Sequence, residues 1–246
     1  MKVHVYGDSH SYLFYGRRHY RHRLELGRPL RFTVTGGSIR AASLSGFRSS
    51  NSTLGVREKI LSVLPDARHL ALCFGQVDLE LGYCYRAAIK GEPVDPGTYP
   101  AWLLDIYDGF IDHLLPSGCE IALKGVNLTA LQSDIFAAAY VSRLILETGN
   151  VQLDDAMAQI KPHILGHDAQ NAMHLAFNAG LRDLAASRGL RYFDINDEIS
   201  QPPAGSGKAP RIAGHHMPGA PDHHLADTKA TRLIHYNALG RCFGLL

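Results

Sequence analysis

Five short runs rich in β-branched or continuously apolar residues alternate with longer stretches whose apolar positions recur every three or four residues. The first run, residues 3–6, is Val-His-Val-Tyr and leads into Gly7-Asp8-Ser9-His10. Residues 31–35 alternate and are β-branched, which predicts a second strand. Residues 69–74, His-Leu-Ala-Leu-Cys-Phe, form the unbroken apolar run of a strand covered on both faces. Residues 119–126 and 190–195 supply the fourth and fifth strands. Helical spacing is clearest over residues 101–115, where positions 102, 103, 106, 107, 110, 111, 114 and 115 are apolar. It also predicts helices over residues 12–26, 54–64, 135–147, 168–188 and 228–239, with a further one beginning near residue 79.

Strands alternating with helices imply an α/β fold in three layers, flavodoxin-like, with a five-stranded mostly parallel sheet flanked by helices. Ser9, Gly36-Gly37, Gly75–Asp78 and Asn127 each follow one of the first four strands. In open α/β sheets ligands bind at those carboxyl ends, so these residues are expected on one edge. No repeat or domain boundary interrupts the pattern, and residues 1–246 are expected to form a single domain. Residues 149–167 have ambiguous periodicity and are assigned as an insertion or lid. Residues 199–221, rich in Gly, Pro and Ala, are assigned as a long loop beside the site.

Composition narrows the partners. Hydrophobic residues make up 46% and charged residues 20% of the 246, the profile of a folded globule. A formal net charge of +2 gives no global pull towards nucleic acid, and no apolar run approaches the ~20 residues of a membrane span. A strand starting at residue 2 leaves no room for a leader ahead of it, so a cytoplasmic location is expected. Cys73, Cys84, Cys119 and Cys242 match no metal or redox spacing. The basic cluster Arg17, Arg18, His19, Arg21, His22 and Arg23 is favoured as a solvated helix face. Its sharper reading is a site for an anionic substrate or a phosphate-bearing acyl carrier.

A strand, a tight turn carrying Gly-Asp-Ser and then a helix is a way of presenting a serine hydroxyl at a sheet edge, which makes Ser9 the candidate nucleophile. Such a hydroxyl needs a base to take its proton and fixed donors for the developing oxyanion. The histidine-rich stretch near the C-terminus offers the base, and the order Ser9, Asp222, His223, His224 is one of several in which a triad occurs. His215, His216, His223 and His224 form adjacent pairs. Neighbouring residues rarely converge on one ion, so no metal and no cofactor is expected.

At these residues the chain resembles the SGNH, or GDSL-type, hydrolases. Gly7-Asp8-Ser9 matches that family's first block. Gly36-Gly37 sits where the second block belongs, Gly75-Gln76-Val77-Asp78 where the third belongs, and Asp222-His223-His224-Leu225 at the last. The resemblance implies Ser9 as nucleophile and oxyanion donor, His224 as base and Asp222 as its orienting acid. It implies a second donor from Gly37 or Gly36. Gln76, Asp78 and Asn127 are the further candidates for oxyanion or substrate contacts.

The chain departs from the family pattern twice. Val77 stands where the family has an oxyanion-donating asparagine, and Asp222 precedes His224 by two residues rather than three. The expected function is ester or thioester hydrolysis (acyl esterase, deacetylase or thioesterase) through an acyl-serine intermediate. The alternatives are an acyltransferase of the same fold, or a catalytically weak member that binds a carbohydrate or acyl ligand. The partner expected is a small-molecule or carbohydrate acyl ester, with no nucleic acid and no membrane.

Overall fold

The computed structural model describes residues 1–15, 31–48, 54–131, 134–146, 153–202, 205, 208–220 and 222–246. Its main sheet has five strands, all parallel: β1 (Lys2–Gly7), β2 (Thr33–Ser38), β3 (His69–Cys73), β4 (Glu120–Lys124) and β5 (Arg191–Phe193). The order is β2-β1-β3-β4-β5. The helices with eight or more residues are α2 (Tyr99–Ile111), α3 (Asp134–Leu146), α4 (Leu153–Ile160), α5 (His167–Ser187) and α7 (Lys229–Cys242). Two short ones, α1 (Val56–Leu61) and α6 (Asn196–Ile199), complete the set named here.

Side-chain alternation along β3 builds the layers. Leu70 and Leu72 point into one core, with Leu103, Tyr107 and Leu114 from the α2 region and Phe177 and Leu181 from α5. Ala71 and Cys73 point into the other, with Leu13, Phe14, Tyr236 and Leu239. Both faces of β3 are therefore dry, which is why its sequence is an apolar run rather than an alternation. Truncating a fully buried leucine such as Leu72 to alanine is expected to cost about 2–5 kcal/mol.

Three elements differ from the sequence-based expectation in ways that bear on the site. First, β2 runs on through Gly36, Gly37 and Ser38, which pair with Val5, Tyr6 and Gly7. The sequence pattern predicts a strand end at those glycines. Gly36 has φ +119°, and a Cβ there would lie 2.0 Å from the Val5 carbonyl oxygen, so the close approach of β1 requires a glycine. The turn that faces the site is the next one, beginning at Ile39.

Second, the chain after Ser9 enters a 3-10 helix, Ser9–Phe14, instead of beginning an α-helix at residue 12. Residues 16–30, with the basic cluster assigned to that helix, lie outside the described residues. Third, the region after β3 continues as two π-helical turns, Asp78–Gly82 and Tyr85–Ile89. Wide turns of this kind cluster at functional sites. The stretch assigned as a long loop, 199–221, also carries short order. β6 (Ser200–Gln201) pairs antiparallel with β7 (Arg211–Ile212), and a 3-10 turn follows at Gly214–His216.

Within the region assigned as an insertion or lid, Ile160 at the end of α4 is fully buried in the main core. All four cysteines are free thiols. Among the described residues no helix is long and apolar enough to cross a membrane.

Candidate active site

Gly7 ends β1 where the backbone must pass close to β3; a Cβ there would come within 2.5 Å of the Cys73 carbonyl oxygen. Asp8 then caps the 3-10 turn, its Oδ1 accepting from the His10 amide at 3.0 Å, and its Oδ2 accepts from the Val77 amide at 3.4 Å. Asp8 thus holds the turn after β1 to the turn after β3. Ser38 Oγ donates to the carbonyls of Asp8 (3.2 Å) or Ser9 (3.3 Å) from the β2 side. The Ser9 backbone is fixed from three directions before its hydroxyl does anything.

That hydroxyl lies 2.8 Å from His224 Nε2, and His224 Nδ1 lies 2.7 Å from Asp222 Oδ1. The two-residue spacing closes because the Asp222 carboxylate turns back onto its own backbone, with Oδ1 also accepting from the His224 amide at 3.2 Å. The same oxygen accepts the Tyr140 hydroxyl at 2.8 Å. Burial opposes the charge on Asp222, but the hydrogen bonds from His224 and Tyr140 outweigh it and hold the carboxyl below its usual range.

His224 is held on its ring faces and edges as well. His10 stacks on it, with ring centroids 4.4 Å apart and planes 28° apart. Tyr12 meets it edge-on at 5.6 Å, and the Tyr12 hydroxyl donates to the Leu225 carbonyl at 2.9 Å. The 3-10 turn that presents Ser9 therefore also grips the loop carrying the histidine.

Behind this chain lies a buried polar cluster. His223 Nδ1 is 3.1 Å from Glu80 Oε2, and His10 Nε2 is 3.3 Å from the His223 carbonyl. Gln76 Nε2 donates to Glu80 Oε1 at 3.0 Å and to the Asn127 carbonyl at 3.2 Å, and Gln76 Oε1 accepts the Asn127 amide at 2.7 Å. Burial disfavours the Glu80 charge; the hydrogen bond and charge of His223, helped by His10 and His174, reverse that and hold the carboxyl low. Burial and the neighbouring His223 push His10 down to about 4, against the pull of Asp8.

The ring nitrogens of His10, His223 and His224 lie within 4.8 Å of one another, the spacing of a metal-ligand set. Both nitrogens of His10 and of His224, and Nδ1 of His223, already have protein partners, however. The cluster is knitted together by hydrogen bonds.

The structure thus brings Ser9, Asp222 and His224 together at the wall of a cleft of about 780 Å3. It places the other candidates elsewhere. Gly36 and Gly37 are strand residues outside the cleft lining. Gln76 and Asn127 bond to each other, and Asn127 Oδ1 accepts from the buried Lys124 Nζ at 2.9 Å. Asp78 accepts the amides of Leu44 (2.7 Å) and Ser45 (3.2 Å), shaping the turn after β2 from below. Burial pushes the Asp78 carboxyl up to about 7, partly offset by those amides. These three polar residues are scaffold, with no side-chain atom in the cleft.

The cleft wall instead includes Val77 and, from the turn after β2, Ala41. Ala41 has φ +60°, a left-handed conformation unusual for a residue with a Cβ. Sequence reasoning missed Tyr140, His10, Tyr12 and Glu80. His10 was adjacent to the motif, but nothing in the pattern linked Tyr140 on α3 to a loop 82 residues further on.

A parallel sheet in the order β2-β1-β3-β4-β5, with helices on both faces, gives the chain the fold of the SGNH or GDSL-type hydrolases. No family sequence model matches it, and no curated protein matches it in sequence. Solved structures do match in fold. A putative SGNH hydrolase from Slackia heliotrinireducens superposes with a TM-score of 0.55 at 11% identity, covering 98% of this chain and 99% of that one. A catalytic mutant of the acetylxylan esterase Axe2 from Geobacillus stearothermophilus gives 0.54 at 11%, covering 97% and 94%. TesA gives 0.50 at 13%, covering both chains completely.

Proposed function

We propose that this protein is a serine hydrolase of the SGNH type, cleaving an ester or thioester through an acyl-serine intermediate. The observation that carries this reading is the unbroken chain from Ser9 Oγ through His224 to Asp222, at 2.8 and 2.7 Å. Ser9 Oγ attacks the substrate carbonyl carbon while His224 Nε2 takes its proton. Asp222, kept ionised, stabilises the imidazolium that forms. His224 then gives the proton to the leaving alcohol or thiol. Water repeats the sequence to free the acid.

The oxyanion falls to backbone amides. Ser9 supplies one. Ala41 supplies the second: its residue lines the same cleft as Ser9, and among the described residues its N–H has no acceptor. Its left-handed backbone is the kind of local strain that accumulates at functional sites. These amides replace the glycines as candidates, because Gly36 and Gly37 are committed to the sheet.

Val77 offers no side-chain donor, and loss of one such donor has cost about 2.7–4 kcal/mol of transition-state stabilisation elsewhere. A modest rate is therefore expected. Hydrolysis of 4-nitrophenyl esters from acetate to octanoate, run beside Ser9→Ala, tests the proposal. Turnover that vanishes in the variant supports it. No turnover with any chain length, or equal turnover in the variant, leaves the ligand-binding alternative standing.

A further inference from the structure

One side of the cleft beside Ser9 is apolar from end to end. Val77, Leu81 and Tyr85 line it from the helical stretch after β3, one every four residues. Tyr140 and Leu144, also four apart, line it from α3, with Arg143 beside them. The two elements pack against each other, so their apolar side chains form one trough. Both of its sides are rooted in the catalytic chain. The Val77 amide donates to Asp8 Oδ2 at 3.4 Å, in the turn that presents Ser9, and the Tyr140 hydroxyl donates to Asp222 Oδ1 at 2.8 Å.

The trough has a direction and a length. Val77 is 8% exposed, Leu81 is half-buried and Tyr85 is 37% exposed, so the three side chains are rungs leading from Ser9 to the mouth. Eight residues of helical backbone rise on the order of 12 Å. An extended hydrocarbon built from bonds of about 1.5 Å advances about 1.3 Å per carbon. A straight chain of roughly eight to nine carbons therefore spans the rungs, and Leu81 stands beside roughly its fourth or fifth carbon.

The polar side of the cleft uses its hydroxyls within the protein. Ser38 Oγ donates to the Asp8 or Ser9 carbonyl, and Ser43 Oγ and Ser45 Oγ are 2.9 Å apart. The two parts of an ester are told apart by the proton. The leaving oxygen must face His224 Nε2 to receive it, which puts the alcohol or thiol on the histidine side of Ser9 and the acyl chain towards Val77. At Val77 a side chain that gives the oxyanion nothing gives a hydrocarbon its first contact.

From this arrangement we propose that Val77, Leu81, Tyr85 and Leu144 form an acyl-chain ruler, and that the substrate class is an ester or thioester of a straight-chain acid of roughly six to ten carbons. The proposal rests on the hydrolase reading above. A fully buried methylene favours binding by about fourfold, and a trough open along one side gives roughly two- to fourfold per carbon. The gain stops where the chain passes Tyr85 into solvent.

The test measures kcat/KM over 4-nitrophenyl esters from acetate to dodecanoate, below their micelle concentrations, and over alkyl acetates from ethyl to octyl. The acyl series should rise roughly two- to fourfold per carbon and level off near octanoate, while the alkyl acetate series stays nearly flat. Leu81→Trp fills the trough partway along and should move the optimum to butyrate or shorter. Leu144→Trp, the second blocking variant, should shorten it as well. Tyr85→Ala should lower the decanoate-to-hexanoate ratio and leave the butyrate-to-acetate ratio as it is. Leu175→Trp, at an exposed leucine outside the cleft, should keep the wild-type profile. A maximum at acetate, a rise along the alcohol in place of the acyl chain, or an optimum that neither folded tryptophan variant in the cleft moves overturns the ruler.

Calorimetric titration of Ser9→Ala with the S-acetyl and S-hexanoyl thioesters of N-acetylcysteamine gives a readout independent of turnover. If no ester is hydrolysed, the hydrolase reading fails. The ruler then stands if the hexanoyl thioester binds at least tenfold more tightly and loses that advantage when Leu81→Trp is added to Ser9→Ala; it falls if the two thioesters bind alike.

Discussion

His223 and His224 are neighbours in the chain, and each has a carboxylate oxygen against its Nδ1, yet the two pairs are built for opposite ends. His224 with Asp222 lies at the cleft wall, 21% and 42% exposed, and its Nε2 faces the Ser9 hydroxyl. His223 with Glu80 is 4% and 0% exposed. Glu80 is further tied to Gln76 and approached by His10 Nε2 at 3.8 Å. A histidine–carboxylate pair at the right distance is therefore not by itself a sign of chemistry. What separates the two is solvent access and whether a serine hydroxyl sits at the far nitrogen. The buried pair gives the loop a fixed anchor, and the exposed pair beside it is held within reach of Ser9.

The contrast breaks most visibly at the proposed nucleophile and base. Ser9→Ala and His224→Ala are each expected to lower kcat on a 4-nitrophenyl ester by roughly 10⁴-fold or more, with little change in the thermal midpoint. His223 and Glu80 should behave in the reverse way. Glu80→Ala leaves buried partners without their charge and is expected to cost about 3–5 kcal/mol in urea unfolding. If Glu80→Ala proves as stable as wild type while kcat collapses, the two pairs have been assigned the wrong way round.

Tyr140→Phe is a smaller probe. It removes one neutral donor from Asp222, a loss of about 0.5–1.5 kcal/mol, so kcat/KM should fall roughly two- to tenfold. A positioning role also predicts that the acid limb of the pH profile moves to higher pH, because the carboxylate loses a stabilising donor and becomes more basic. A fall in rate with no movement of the limb points to packing alone.

The last effect is on pH-dependent stability rather than on rate. Asp78 has its carboxyl raised by burial from 3.8 to about 7. The protonated form is thus favoured in the folded state. Its contribution is present below about pH 4 and is lost as pH rises through about 7. Unfolding measured at pH 5, 6.5 and 8 should show a slope that flattens in Asp78→Asn.

Much of the fold was legible because strand and helix periodicities are local properties. The alternation of five apolar runs with helical stretches gave the layers, and the β3 run told its own burial. The Ser9 turn and the histidine loop were legible for a similar reason, each being a compact block of unusual residues. The oxyanion side was not. Gly36 resembles a flexible strand end, but its missing Cβ is demanded by β1, a neighbour known only after the sheet forms. Gln76, Asp78 and Asn127 have the side chains of site residues and spend them on one another and on backbone amides. Polar residue types at a sheet edge do not reveal whether a side chain points into the cleft or beneath it. Tyr140 and Arg143 lie on a helix whose pattern records only that it is amphipathic.

The central claim is that His224 activates Ser9 for attack on a carbonyl-like electrophile. The measurement that tests it most directly is labelling with a fluorophosphonate, followed by peptide mass mapping, on wild type, Ser9→Ala, His224→Ala and His223→Asn. The account predicts a single adduct on the peptide containing Ser9, absent from Ser9→Ala, strongly slowed in His224→Ala and retained in His223→Asn. An adduct on another residue, or no adduct in wild type at any pH from 6 to 9, would contradict it.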